Sequence, residues 1–332
     1  MKRKLYIIFA ILTPVLFSCY RDIDLGKYRP DPDLVLNGVI SADTVVMLSI
    51  SRTKFFTDTS RYEIISNADV TLSVNGLFRE TMRWTADDSF YGGGIYLSAY
   101  KPQAGDVVRI EATTIYGEAW VEETIPAKVL IEDISFSHRL IYEGKNYGMD
   151  ENGNWFEIPT MEITYRITFS DDTTTTNYYL IRIENPAYWG TGNFDYSSDP
   201  VFVEQVSVVD GMFGDTKIMG QGGRSFTDHL FNGQRYTLAV KEAHPSSSPY
   251  YDYAPAMGRR VFLYAITGSY YYYLTSMQMA SDAANSTNLS TFGFAEPVHI
   301  FTNIQGGAGI MATSQYDAVT IDLKEILTDY RE

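Results

Sequence analysis

From Leu34 onward the chain is a succession of short runs of β-branched, aliphatic and aromatic residues set between turn residues, a spacing that forces most of it into sheet. The runs in the first part are Leu34-Val35-Leu36, Val45 to Ile50, Ala68 to Val74, Leu77 to Trp84, Asp106 to Thr114 and Glu118 to Ile125. Val70, Leu72 and Val74 alternate with Thr71 and Ser73, while Val108, Ile110 and Ala112 alternate with Arg109 and Glu111. A period of two places one set on a buried face and the other in water. Asn75-Gly76 between two runs predicts a type I′ hairpin, because both central positions of that turn need positive φ. Pro102 to Gly105 marks another turn. Short strands at this density, with no helical period, predict an immunoglobulin-like β-sandwich over residues 34–127, with Pro126 at its boundary.

Residues 128–332 continue as a second β-rich region. Val129 to Phe136, Met161 to Phe169, Tyr178 to Ile183, Val201 to Val209, Arg235 to Glu242 and Arg260 to Thr267 read as strands, as do Val298 to Asn303, Gly309 to Thr313 and Ala318 to Leu323. One stretch departs from the pattern. Ser269 to Ala284 contains no proline or glycine and repeats Leu274, Met277, Gln278 and Ser281 at three- and four-residue spacing, which predicts one principal helix near 269–284. Tyr270 and Tyr273 form a neighbouring stripe whose default role is packing on the sheet. Gly306-Gly307-Ala308-Gly309 lacks the following lysine and helix of a phosphate cradle and reads as a turn between strands. The fold class expected is therefore mainly β.

The first residues address the chain to an envelope. Lys2, Arg3 and Lys4 precede an apolar stretch from Leu5 to Phe17, and Ser18 stands before Cys19, the layout of a signal peptide over residues 1–18. Leu16-Phe17-Ser18-Cys19 also has the form of a lipobox, which makes Cys19 the expected lipidation site. Cys19 is the only cysteine of the 332 residues, so no intramolecular disulfide can form. Two or three acyl chains on one residue hold a protein durably at a membrane surface. Residues 19–33, polar and interrupted by Pro30 and Pro32, read as a lipidated tether. Asp22 and Asp24 fit either an export signal behind the lipidated cysteine or a solvated linker. The expected location is the outer membrane, with the folded body at the cell surface.

Charge narrows the partners. The 41 acidic residues against 26 Lys and Arg give a net charge of −15, and three of those cations leave with the leader. Such a surface repels phosphate backbones, so nucleic acid is not an expected partner. Between Asn185 and Pro200 a loop carries Tyr188, Trp189, Phe194 and Tyr196, the candidate ligand-contact residues for a glycan or peptide; the competing reading is a loop packed on its own rings. Chemistry finds little purchase. The four histidines, His138, His229, His244 and His299, have no zinc-type spacing, and Asp228-His229 reads as a hydrogen-bonded turn. There is no Gly-x-Ser-x-Gly elbow, and neither Asp150-Glu151-Asn152 nor Asp171-Asp172 has a calcium-loop pattern. No catalytic residue, metal or cofactor is expected.

A set of motifs gives a resemblance. The strand opening Leu34 to Ser51, Phe169-Ser170-Asp171, Ser225-Phe226-Thr227-Asp228 with Phe231-Asn232-Gly233, the tyrosine helix, and Glu296-Pro297-Val298 leading to Asn303-Ile304-Gln305-Gly306-Gly307-Ala308-Gly309 resemble the domain-of-unknown-function 4249 lipoprotein family of Bacteroidota. Met311 stands where an aromatic residue is expected. Members are often encoded beside TonB-dependent receptors, which implies an accessory role in uptake. The function expected is thus a non-enzymatic lipoprotein that captures a ligand or covers the transporter mouth. The alternatives are a surface hydrolase acting on glycans or peptides, and a structural adhesion or envelope protein.

Overall fold

The computed structural model describes residues 24–55, 57–59, 63–86, 93–142, 147–149, 152–157, 159–172, 175–184, 194–203, 223–245, 258–285 and 298–323. It is mainly β, with several sheets and one principal helix. The N-terminal part contributes β1 (Leu34–Ile40), β2 (Met47–Arg52), β3 (Asp69–Val74), β4 (Leu77–Thr81), β5 (Arg83–Ala86), β6 (Gly94–Leu97), β7 (Val107–Thr114) and β8 (Gly117–Thr124). The remainder contributes β9 (Ile131–Ile141), β10 (Tyr147–Met149), β11 (Trp155–Glu157), β12 (Thr160–Ser170), β13 (Tyr178–Glu184), β14 (Phe194–Asp195), the short helix α1 (Pro200–Val203), β15 (Arg224–Thr227), β16 (Arg235–Pro245), β17 (Arg259–Ile266), the helix α2 (Gly268–Asn285) and β18 (Gly307–Ile321).

One long strand joins the two parts. The first half of β18 pairs parallel with β1, Leu34 opposite Gly307 through Ile40 opposite Thr313. Its second half pairs antiparallel with β17, Ile266 opposite Ser314 through Arg259 opposite Ile321. The resulting eight-stranded sheet runs β15-β13-β17-β18-β1-β2-β6-β5. Gly309 to Thr313 and Ala318 to Leu323, expected as two strands, are therefore one: Ser314 to Asp317 contains no turn dipeptide and the ladder passes straight through.

Two four-stranded sheets cover this backbone. The sheet β4-β3-β7-β8 meets the β1, β2 and β6 end, where Leu36, Leu48, Ile50 and Tyr96 share a core with Leu72, Ile110 and Val121. Ile304 and Met311 from the end of the chain belong to the same core. The sheet β14-β16-β12-β9 meets the β13 and β17 end, where Ile163, Tyr165, Ile167 and Val240 pack with Ile181, Val261 and Leu263. On the opposite face of the long sheet, Tyr270, Tyr273 and Leu274 of α2 rest on Leu180 of β13 and on Ile310 and Ala312 of β18. The alternation of β18 thus serves two clusters, Met311 one and Ile310 with Ala312 the other. The tyrosine stripe is packing surface, and α2 seals the seam between the two parts.

The Asn75-Gly76 turn has φ of 53° and 75°, as a type I′ hairpin requires. Elsewhere expectation and structure part. The run from Val201 begins inside α1, because the buried Asp199 carboxylate accepts the Val201 N–H at 3.1 Å and turns the chain. Residues 298–303 lie outside any strand; the Phe301 N–H donates to Ser276 Oγ at 2.8 Å, which lays the segment along α2. Among the described residues no helix is long and apolar enough to cross a membrane.

Candidate functional site: a cleft between β8 and α2

Alternation in β8 puts Ala119 and Val121 on the buried face, and the next residue of that register is Glu123. A carboxylate in an apolar register needs partners, and Glu123 Oε1 accepts from Asn303 Nδ2 at 2.7 Å. Asn303 also donates to the Met311 carbonyl at 2.9 Å and accepts the Met311 N–H at 3.1 Å. One residue further along, the fully buried Thr313 hydroxyl donates to the Thr124 carbonyl at 2.9 Å. The Thr267 N–H donates to the Thr313 carbonyl at 3.3 Å. These bonds tie the end of edge strand β8, the middle of β18 and the entry to α2 together.

Between them lies a cleft of about 500 Å3. Val107, Glu122, Glu123 and Thr124 form one wall, Thr267, Gly268 and Ser269 the other, and Tyr272 with Phe301 supply aromatic surface. Tyr272 is 49% exposed and its ring lies 5.8 Å from that of Phe301. The Tyr272 and Tyr178 hydroxyls meet at 3.2 Å, and Tyr178 stands 5.0 Å from the ring of Tyr271. Glu122 is exposed, and the Arg109 guanidinium approaches it only to 4.0 Å, being engaged by Glu111 at 2.7 Å and stacked over Trp120 at 4.0 Å. Among the described residues the lining includes Glu122, Glu123 and the aromatic residues Tyr272 and Phe301, and no lysine, arginine or histidine.

The hydrogen bond to Tyr272, helped by burial, pushes the Tyr178 phenol up to about 12, and burial pushes Tyr270 beneath α2 up to about 12 as well. Burial also raises Tyr165, Tyr179 and Tyr236. A phenol whose folded pKa exceeds its unfolded value stabilises the fold fully below the unfolded value, and that stability is lost as pH rises through the folded one. Unfolding free energy should accordingly hold up to about pH 10 and fall steeply above it. Alkaline titration followed by phenolate absorbance, compared with unfolding curves at each pH, should show a delayed fraction of tyrosines that ionise only with unfolding.

Phe194 and Tyr196, singled out from sequence, lie away from this cleft. Phe194 and Tyr196 are buried in the second core, Phe194 beside the Tyr165 ring at 6.3 Å and Tyr196 beside Phe202 at 5.5 Å. For these two rings the arrangement is that of the packed-loop alternative. Tyr188, Trp189 and Cys19 lie outside the described residues. Asp228 is buried and accepts from the Asn177 N–H at 2.7 Å and Asn232 Nδ2 at 3.2 Å, while His229 beside it is exposed. Burial raises the Asp228 carboxyl above its ordinary value.

The motifs behind the family resemblance form structural joints. Asp171 accepts from the Tyr179 hydroxyl, from Asn177 Nδ2 at 3.1 Å and from the Gly233 N–H at 2.7 Å, knotting Phe169-Ser170-Asp171 to Phe231-Asn232-Gly233. Phe169, Tyr179, Phe226 and Phe231 pack as one ring cluster above it. In the glycine-rich motif, a Cβ on Gly306 would meet the Glu118 carbonyl at 2.5 Å and one on Gly307 the Leu34 carbonyl at 2.5 Å. Close backbone approach between neighbouring segments accounts for those glycines.

Glu122, Glu123, Tyr272 and Phe301 escaped the sequence reading. Glu123 had a signal, an acid in the buried register of an otherwise alternating strand. The others are brought to it by β18 and α2, contacts of long sequence separation. No curated protein matches the chain. A family model described as a domain of unknown function (DUF4249) matches residues 21–319, nearly the whole length. On that match the chain belongs to the DUF4249 family.

Proposed function

We propose that this protein is an outer-membrane lipoprotein, acylated on Cys19 and displayed at the cell surface, which captures a ligand beside a TonB-dependent transporter without catalysing its conversion. The observation that carries the reading is the leader: a basic head, an apolar stretch and Leu16-Phe17-Ser18-Cys19, followed by a polar tether. The cleft between β8 and α2 is the capture site in this reading, replacing the aromatic loop. Contact with the transporter falls to the β10–β11 hairpin, where Met149 and Trp155 are paired across the strands and are 56% and 69% exposed. Apolar side chains paired in the open mark interaction surfaces.

Mild detergent extraction of native membranes and purification of the tagged full-length protein should recover an outer-membrane barrel in near-equal amount. Trp155→Ala should reduce that recovery with an unchanged melting temperature. Purification of the protein alone from both forms would contradict the partnership. Turnover of a glycan or peptide that disappears in Glu122→Gln would replace capture by hydrolysis.

A further inference from the structure

We propose that the cleft selects an organic cation, an ammonium or guanidinium group carried on an apolar stem. The inference rests on the capture reading and names the chemistry that the site accepts. Three observations lead to it. Among the described residues Glu122 and Glu123 both line the cleft and no lysine, arginine or histidine does, and the Arg109 guanidinium stands 4.0 Å from Glu122 with a closer partner of its own. Tyr272 turns half of its surface outward next to Phe301, giving ring faces with the negative quadrupole that attracts cations. The whole chain carries −15, so the long-range field draws cations and repels anions.

Orientation follows from the walls. The start of α2 brings the positive end of its dipole to the wall opposite β8, which confines the cation to the Glu122 side. The stem then lies along Tyr272 and Phe301, and any acceptor at its far end meets the first turn of the helix. A lysine or arginine side chain of a peptide and a free small amine share this chemistry.

Calorimetric titration of the full-length lipoprotein in detergent tests the proposal with n-butylammonium and n-butylguanidinium, against n-butanol and butyrate as neutral and anionic counterparts. Ac-Gly-Lys-Gly-NH2 beside n-butylammonium distinguishes a peptide side chain from a free amine. The cations should bind saturably and the other two should not. Glu122→Gln and Tyr272→Leu should each weaken cation binding by about tenfold, and raising salt should weaken it further. Glu122 is exposed, so its variant keeps its melting temperature, while Glu123→Gln retains an acceptor for Asn303 and serves as a second carboxylate variant. Equal binding of butanol, or cation binding indifferent to both Gln variants, would overturn the cation. A neutral trisaccharide that binds in a Tyr272-dependent way would overturn it too while leaving capture at this cleft intact. Failure of every probe would remove both.

Discussion

Glu242→Ala is expected to lower the unfolding free energy by about 3–5 kcal/mol, the usual cost of stranding one charge of a buried ion pair. Both partners of the pair are fully buried. Arg259, the first residue of β17, donates through Nε to Glu242 Oε2 at 2.9 Å and through Nη2 to Oε1 at 3.0 Å. Its Nη1 donates to the Gly258 carbonyl at 2.7 Å, and the Tyr165 hydroxyl donates to Glu242 Oε2. Glu242 and Tyr165 sit on β16 and β12, and Arg259 comes from the long sheet opposite, so the cluster bolts the two sheets of the second core. Removing the carboxylate leaves a buried guanidinium without its counter-ion and takes the acceptor from the Tyr165 hydroxyl. Urea unfolding of Glu242→Ala measures the loss directly. The double variant Glu242→Leu with Arg259→Met should recover most of it, because neither member of the pair is then left as an uncompensated charge. A loss below about 1 kcal/mol in the single variant would mean that the pair is not isolated from water.

Gly309→Ala should cost about 3 kcal/mol or more, from a strained backbone compounded by a clash. Gly309 has a φ of 102°, and a Cβ there would stand 2.2 Å from the Leu36 carbonyl oxygen and 2.9 Å from Asn37 Oδ1. Leu36 is its partner in the parallel β1–β18 ladder, so the clash lies inside the ladder that joins the two parts of the molecule. Asn37 Oδ1 accepts the Ile310 N–H at 3.2 Å and would have to move away. Gly153→Ala is the control: its φ of 84° carries comparable strain, but no atom lies within 4 Å. That variant should lose only about 1 kcal/mol. Chemical denaturation of the Gly309 variant should also become less cooperative, since the first core loses its hold on β18 and Met311. Equal losses in the two glycine variants would contradict this account of the glycine-rich motif.

Local signals in the sequence were sound, and long-range ones were not available to it. Period-two alternation located β3, β7 and β12 because one face of each is wet, and the unbroken run from Ser269 located α2. The turn at Asn75-Gly76 was legible because only a few residues accept positive φ at both positions. The joining role of β18 was invisible. Its run from Ile310 to Ser314 is buried on both faces, which erases the alternation that would have marked a strand crossing from one core to the next. Composition left the Asn185 to Pro200 loop open between binding and packing, because aromatic rings draw attention equally when they bind and when they pack. Phe194 and Tyr196 pack. The cleft escaped for a topological reason: its walls come from β8, α2 and the segment before β18, and nothing local to Tyr272 or Phe301 indicates that they border the same cleft as the end of β8.

In the proposed role Cys19 carries the acyl chains that hold the protein at a membrane, and capture beside a transporter depends on that anchor. Intact-mass spectrometry of the protein extracted from native membranes tests it most directly. The predicted result is a chain beginning at Cys19 and heavier than its polypeptide by a diacylglyceryl group, with or without an N-terminal acyl chain. A free Cys19 thiol, or a chain that still carries residues 1–18, would contradict it.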